Sequence, residues 1–198
     1  MNLEKISNLP IKSILDIGAQ IGNFTLMCKK IWPNSSIVAV EANKNCESYL
    51  KSLNIEYHLE VLSDFVKDVD FYTHLGSEIH TGNSYYKENT KFFTPGQYTI
   101  LKKRTTTLDI LFKDRVFDFI KIDTQGSEID IIKGGLNICK LAKYILMEVA
   151  LVEYNHKAPQ YSEVLSFMNS IGYDAIDILE EHYDGELKIQ IDILFKKS

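Results

Sequence analysis

The segment Ser13–Gly22, SILDIGAQIG, constrains this chain more than any other. A short apolar run ends on Gly18, the mark of a strand entering a tight turn. A helix runs from Asn23 to Trp32 and is stopped by Pro33. Glycine lets backbone approach a ligand closely, and a helix start offers unpaired N–H groups. Gly18 and Gly22 would also permit tight strand–helix packing with no ligand, so the turn has to be weighed with the rest of the chain.

Beyond the turn, strands and helices alternate. Ser36–Glu41 reads as a second buried strand, and Asn43 can cap a helix running to about Leu53. Glu56–Leu62 reads as a third strand and Phe117–Asp123 as a fourth. Ser127-x-x-Asp130 resembles a capping box, and Gly134-Gly135 ends that helix. Lys143–Leu151 is a fifth strand. Val164, Leu165, Met168 and Ile171 share one helical face, with Gly172 beyond it. Near-continuous apolar strands between helices predict an α/β fold with a mostly parallel sheet covered on both faces. Asp184-Gly185, between Tyr173–Tyr183 and Glu186–Lys196, predicts a C-terminal antiparallel hairpin. In its last strand Leu187, Ile189, Ile191, Ile193 and Phe195 point one way, and Lys188, Gln190, Asp192 and Lys196 the other. Leu75–Thr99 fits neither period, and a loop of that length is a lid, a binding loop or a mobile connection.

Composition narrows the function. The formal net charge of −5 gives no reason to bind nucleic acid or an anionic surface. Arg104 and Arg115 are the two arginines, so forked phosphate recognition is scarce. Cys28, Cys46 and Cys139 lie far apart, which argues against a disulfide framework or a structural zinc and fits a reducing cytoplasm. Met1–Lys12 lacks the apolar core of a signal peptide, and Tyr144–Val152 is too short to span a membrane.

Glu41 ends the second strand. In a doubly wound sheet it faces the same crevice as the first turn, where a carboxylate can accept both hydroxyls of a ribose. A dinucleotide calls for Gly-x-Gly-x-x-Gly, but Gln20 and Asn23 stand where two of those glycines belong. S-adenosylmethionine carries an amino-acid end instead of a pyrophosphate and does not need them. The hairpin also suits a methyltransferase sheet better than a dehydrogenase sheet.

At LDIGAQIG, VEAN (Val40–Asn43), VLSD (Val61–Asp64), TTLD (Thr106–Asp109), IKIDTQGSE (Ile120–Glu128) and QIDILF (Gln190–Phe195) the sequence resembles the FkbM-like S-adenosylmethionine-dependent methyltransferases. The pieces fall in family order over nearly the whole chain. The resemblance implies a Rossmann-like seven-stranded methyltransferase fold over residues 1–198 as a single domain. It also implies O-methylation of a hydroxyl on a sugar, a polysaccharide precursor or a natural product. Asp16, Gly18, Ala19, Gln20, Gly22, Asn23 and Phe24 would then surround the methionine end of the cofactor. Glu41 would hold the ribose, with Ala42 and Asn43 beside it, and Leu62, Ser63 and Asp64 would border the adenine. Gln125 departs from a frequent family Glu.

Asp123 is the first catalytic candidate, as base or acceptor-orienting group, because it ends the fourth strand at the crevice. The alternative is a hydrogen bond to backbone or cofactor without chemistry. Glu148 is the second. It interrupts an apolar strand, and a buried carboxylate needs a partner, catalytic or structural. Glu153, Tyr154, Asn155 and His156 could touch the acceptor. No metal is expected, although Asp123, Glu148 and His156 are ligand types. His58, His74, His80 and His182 read as isolated surface or loop residues. Lys102, Lys103 and Arg104 read as a solvated strand edge, or as a contact for an acidic glycan. The expected partner is a small-molecule or glycan acceptor. Transfer to the nitrogen of an amino sugar, or a cofactor-binding subunit without its own catalysis, are the competing readings.

Overall fold

A computed structural model describes residues 1–198, the side chain of Phe92 excepted. A 3-10 turn over Leu3–Ile6 precedes β1 (Ser13–Ile17), α1 (Asn23–Ile31) and β2 (Ser36–Val40). A 3-10 turn over Lys44–Cys46 leads into α2 (Glu47–Ser52), then β3 (Glu56–His58), β4 (Val61–Leu62) and β5 (Asp68–His74). After the long loop come β6 (Tyr98–Thr106), α3 (Leu108–Leu111), β7 (Phe119–Ile122), α4 (Glu128–Lys133) and α5 (Leu136–Cys139). The chain closes with β8 (Tyr144–Ala150), α6 (Tyr161–Ser170), β9 (Tyr173–Asp184) and β10 (Leu187–Lys197).

Seven strands form the main sheet in the order β3-β2-β1-β7-β8-β10-β9. The first five of these run parallel, and β10 is antiparallel to both β8 and β9. Successive residues go to opposite faces, and both faces are covered. Leu15, Val38, Ile120 and Met147 pack on one side with Ile131, Ile132, Ile138, Val164 and Met168. Ile14, Ile37, Phe119 and Leu146 pack on the other with Phe24, Cys28 and Trp32 of the α1 region. Two covered faces explain why the strands read as continuous apolar runs.

Polar side chains interrupt the α1 face at the strands' ends, Asp16 and Lys121 at its centre. Asp16 and Lys121 are register partners on β1 and β7, and both are buried. The chain runs outward from β1 to β2 and β3, then returns to the other side of β1 as β7. That reversal opens a crevice beyond the carboxyl ends of β1 and β7, where such sheets bind ligands.

Three sequence expectations need correction. The predicted strand Glu56–Leu62 is two strands: β3 joins the main sheet, whereas β4 turns away to pair with β6 in a separate three-stranded sheet ordered β4-β6-β5. Strands β5 and β6 themselves went unread. They form a largely exposed antiparallel ribbon, with Asp68 opposite Arg104 and Asp70 opposite Lys102. Both pairs are salt-bridged, so two members of the basic run neutralise their neighbouring strand. Lys103 turns the other way, onto Phe71 and the Ala42 carbonyl. Finally, the Ser127 hydroxyl bonds Thr124 and does not cap α4. Glu128 accepts the Thr124 and Gly126 N–H groups in its place.

Candidate active site

The site begins in backbone. Gly18 has φ +74°, and a Cβ there would stand 1.7 Å from the carbonyl oxygen of Asp123. The ends of β1 and β7 therefore meet so closely that no side chain fits between them. Gly22, φ +86°, is the N-cap of α1, and a Cβ there would meet Leu53 at 2.2 Å. Between them the Gln20 N–H turns inward and donates to Glu41 Oε2 at 2.7 Å. The Asn43 N–H donates to Glu41 Oε1, also at 2.7 Å. Burial pushes the Glu41 carboxyl up, and these two N–H donors pull it down. Each oxygen accepts one backbone bond and keeps a lone pair, so the carboxylate is oriented yet able to accept two more donors.

Beneath the turn, Asp16 is fully buried. Its Oδ2 accepts the Thr25 hydroxyl at 2.7 Å, while Oδ1 has no hydrogen-bond partner. The Lys121 ammonium stands 3.7 Å from Oδ1, 3.0 Å from Asp123 Oδ2 and 3.3 Å from the Gly18 carbonyl. Burial works against the charged lysine, but Asp123 and Asp16 outweigh it and hold the ammonium protonated well above its ordinary range. Burial pushes the Asp16 carboxyl up and Lys121 pulls it back.

A cleft of about 410 Å³ opens over these groups, within the roughly 300–1,000 Å³ usual for small-molecule sites. Gly18, Ala19, Gln20, Asn23, Phe24, Glu41, Ala42, Asn43, Leu62 and Asp123 all line it. Asp16 and Gly22 stand outside that lining and shape it. Ser63 and Asp64 are also outside it. The Ser63 hydroxyl bonds Asp64 and Tyr85, and Asp64 is drawn off by Lys67 at 2.7 Å. Tyr85, which sequence reasoning passed over, lines the cleft at that point.

The long loop closes the cleft from above. Its carbonyls at Glu78 and Ile79 accept the side-chain amides of Asn43, at 2.6 Å, and Gln20, at 2.8 Å. Tyr72 and Ser84 exchange backbone hydrogen bonds, and the buried Glu88 bridges to Asn155. Asn155 Nδ2 donates to the Tyr86 carbonyl at 3.0 Å, and the His156 N–H to the Lys87 carbonyl at 2.8 Å. The polar group after β8 thus clamps the loop. His156 pairs with Glu153 and leaves Asp123 and Glu148 without a histidine from that segment.

Glu148 does not line the cleft. The backbone register puts it beside Asp192, which in turn lies beside Glu180. Gln125 links this row to Asp123: its Nε2 donates to Glu148 Oε2 at 2.6 Å and to Asp123 Oδ1 at 3.3 Å. Gln190 donates to the same Glu148 oxygen at 2.8 Å. Burial, with Asp123 and Asp192 adding to it, pushes the Glu148 carboxyl well up. His182 is not isolated. Its Nε2 is 2.9 Å from Asp192 Oδ2 and 3.9 Å from Glu148 Oε1. Among the described residues, Glu180, His182 and Asp192 form the one grouping of metal-ligand type. The sequence signal for it was the inward row of Gln190 and Asp192 on the last strand, and it required the pairing register to be read.

A glycine turn at the reversal of a doubly wound sheet, with an acidic residue closing the second strand, defines a nucleoside-cofactor α/β protein. The match to the Methyltransferase FkbM domain, over residues 16–175, makes that specific: the chain belongs to the FkbM methyltransferase family. It is an S-adenosylmethionine-dependent methyltransferase. Solved structures share the fold. The magnesium protoporphyrin IX methyltransferase of Synechocystis PCC 6803 with bound SAM superposes with TM-score 0.59 at 8% identity, over 99% of this chain and 74% of that one. A TehB-like SAM-dependent methyltransferase from Corynebacterium glutamicum gives 0.56 at 11%, over 99% and 85%. The N-terminal domain of EvdMO1 with SAH bound gives 0.57 at 11%, over 98% and 78%. No curated protein matches the chain in sequence. Among the described residues, no helix is long and apolar enough to cross a membrane.

Proposed function

We propose that this methyltransferase acts on oxygen, at a hydroxyl of a sugar, polysaccharide precursor or natural product. The observation that carries the reading is the chemistry of the cleft beyond the first turn and Glu41. Thr81, Asn83, Ser84, Thr124 and Gln125 offer hydrogen bonds there, with the Asp123 carboxylate among them. A polyhydroxylated acceptor fits that lining better than a flat apolar one. The residues also fit the cofactor: the Gly18 turn admits no side chain, Asp16 holds a buried oxygen that accepts no hydrogen bond, and Glu41 keeps two free lone pairs.

In this reading Asp16 and Gly18 to Phe24 hold the methionine end, Glu41 to Asn43 the ribose, and Leu62 the adenine. Ser63 and Asp64 act there through Tyr85. The bound cofactor supplies an electrophilic methyl group. Asp123 orients the acceptor hydroxyl beside it, kept in place by Lys121 and Gln125. Glu148 is a positioning residue acting through Gln125. Alignment of this kind supplies up to roughly 7–11 kcal/mol in favourable cases. A second reading, transfer to the nitrogen of an amino sugar, is favoured by the Asp123 and Glu180 carboxylates at the cleft wall.

The test is release of S-adenosylhomocysteine in the presence of nucleotide sugars, free sugars and amino sugars. Turnover with a hydroxyl acceptor, the product methylated on oxygen, is the expected result. Turnover confined to amino sugars would select the second reading, and none with any of the three classes would overturn both.

A further inference from the structure

We propose that residues 75–81 are a flap over the cofactor, through whose opening S-adenosylmethionine enters and S-adenosylhomocysteine leaves. The inference rests on the placement of the ribose at Glu41 proposed above. It assigns this part of the long loop to the cofactor and not to the acceptor.

The loop has two parts, held in different ways. Residues 84–89 are pinned by main chain. Ser84 exchanges backbone bonds with Tyr72 on β5, the Asn89 N–H donates to the Tyr154 carbonyl at 2.7 Å, and the His156 N–H donates to the Lys87 carbonyl at 2.8 Å. Ser84 and Glu88 are buried. Among the described residues, none from 75 to 81 is buried. That segment leaves and returns through a narrow neck next to the Tyr72–Ser84 pair. There the His74 N–H donates to Asn83 Oδ1 and the Leu75 N–H to the Gln97 carbonyl, each at 2.9 Å. At the returning foot, a Cβ on Gly82 would stand 2.0 Å from Glu88 Oε2, so that foot is closely seated.

Beyond the neck, the flap lands on the cofactor end of the cleft through side-chain amides. Asn43 Nδ2 and Asn45 Nδ2 donate to the Glu78 carbonyl at 2.6 and 3.3 Å, and Gln20 Nε2 donates to the Ile79 carbonyl at 2.8 Å. Gln20 and Asn43 are also the residues whose main-chain N–H groups orient Glu41. The same pair therefore holds the carboxylate by backbone and the flap by side chain. His80, stacked on His74 at 4.4 Å, and Thr81 line the cleft together with Gln20, Glu41 and Asn43.

A segment without buried side chains, tied to the body by exchangeable hydrogen bonds, belongs to the low-stability end of a fold. Its opening uncovers the Gly18 turn and Glu41 while the neck and residues 84–89 keep their places. A ribose held at Glu41 fixes the residues on which the flap lands and offers His80 and Thr81 a ligand surface. That differential contact shifts the flap toward its closed form. Product release then includes an opening step.

Two measurements on the full chain test this. The first is amide hydrogen exchange of the free enzyme and of the enzyme saturated with S-adenosylhomocysteine. Residues 84–89 should exchange slowly in both. Residues 75–81 should exchange fast in the free enzyme and slow by about tenfold or more on binding, the net worth of the amide bonds at the tip. Equal exchange of residues 75–81 in the two states would overturn the flap. The second is excision of residues 77–81, which joins Gly76 to Gly82 and keeps the neck, with S-adenosylhomocysteine binding followed by surface plasmon resonance. Association and dissociation should both quicken, dissociation by about tenfold or more. Unchanged dissociation in a variant that melts as wild type does would overturn the flap, and a variant that does not fold leaves hydrogen exchange to decide. Undiminished affinity in Glu41→Ala would overturn the ribose placement and the flap with it. Lost affinity in Glu41→Ala, with residues 75–81 unprotected in wild type, would overturn the flap alone.

Discussion

The two ends of the cleft are built in different ways. At the β1–β2 end the cleft is shaped largely by backbone: the Gly18 turn, with the Gln20 and Asn43 N–H groups tied to the one carboxylate of Glu41. All of them fall within one short stretch of sequence. Toward β7, β8, β10 and β9 the groups are side chains: Asp123 and Gln125 line the cleft, and behind them Glu148, His182 and Asp192, outside that lining, are brought together from distant segments by sheet register. The first end has a rigid shape that suits an invariant ligand. The second is a polar network of hydrogen-bonded, mostly buried side chains.

The largest effect should come from the residue that joins the two ends. Lys121→Met leaves Asp16 and Asp123 without their cation, and removing one partner of a buried pair costs about 3–5 kcal/mol. Because Asp16 is already raised, the loss should be deepest at neutral pH and shrink as pH falls and the carboxyl protonates; thermal melts at several pH values check this. Next is Glu41→Ala. It removes the charged acceptor proposed for the two ribose hydroxyls, each such bond worth roughly 1.5–3 kcal/mol, so affinity for S-adenosylhomocysteine should fall by roughly 100-fold or more in calorimetry.

Glu148→Gln tests the other end. A buried carboxylate with a raised pKa is favoured by the fold in its protonated form, so its stability contribution is lost as pH rises from the unfolded value through the folded one. The neutral amide should match or exceed wild-type stability at pH 8 and flatten the stability–pH curve, while turnover falls. A large loss of stability at pH 8 would make Glu148 structural. The smallest effect belongs to the ribbon: Lys102→Ala, losing an exposed pair with Asp70, should change stability by less than about 1 kcal/mol and leave turnover unchanged.

The same division decides what the sequence reveals. Alternating apolar runs announced the parallel sheet, and Asp184-Gly185 announced the hairpin. The Gly18–Gly22 spacing with Glu41 announced the tight turn and the carboxylate beside it, because a local motif encodes local geometry. Strands β5 and β6 were hidden because a mostly exposed ribbon held by cross-strand ion pairs carries little apolar periodicity. The partnership of His182 with Asp192 was hidden for another reason. It depends on which residue of β10 faces which of β8 and β9, and this hairpin carries three register irregularities. His156, nearer in sequence to Glu148, was the more visible histidine, yet the backbone after β8 takes it to the loop.

In the proposed reading the cofactor is held at the β1–β2 end of the cleft, apart from the Glu148–His182–Asp192 network. Calorimetric titration of S-adenosylmethionine and S-adenosylhomocysteine, with NAD as control, into wild type, Glu41→Ala and His182→Gln tests that separation. Wild type and His182→Gln should bind both ligands with closely similar affinity, Glu41→Ala should lose them, and NAD should bind to none of the three. Binding that survives in Glu41→Ala, or disappears in a folded His182→Gln, would contradict the separation.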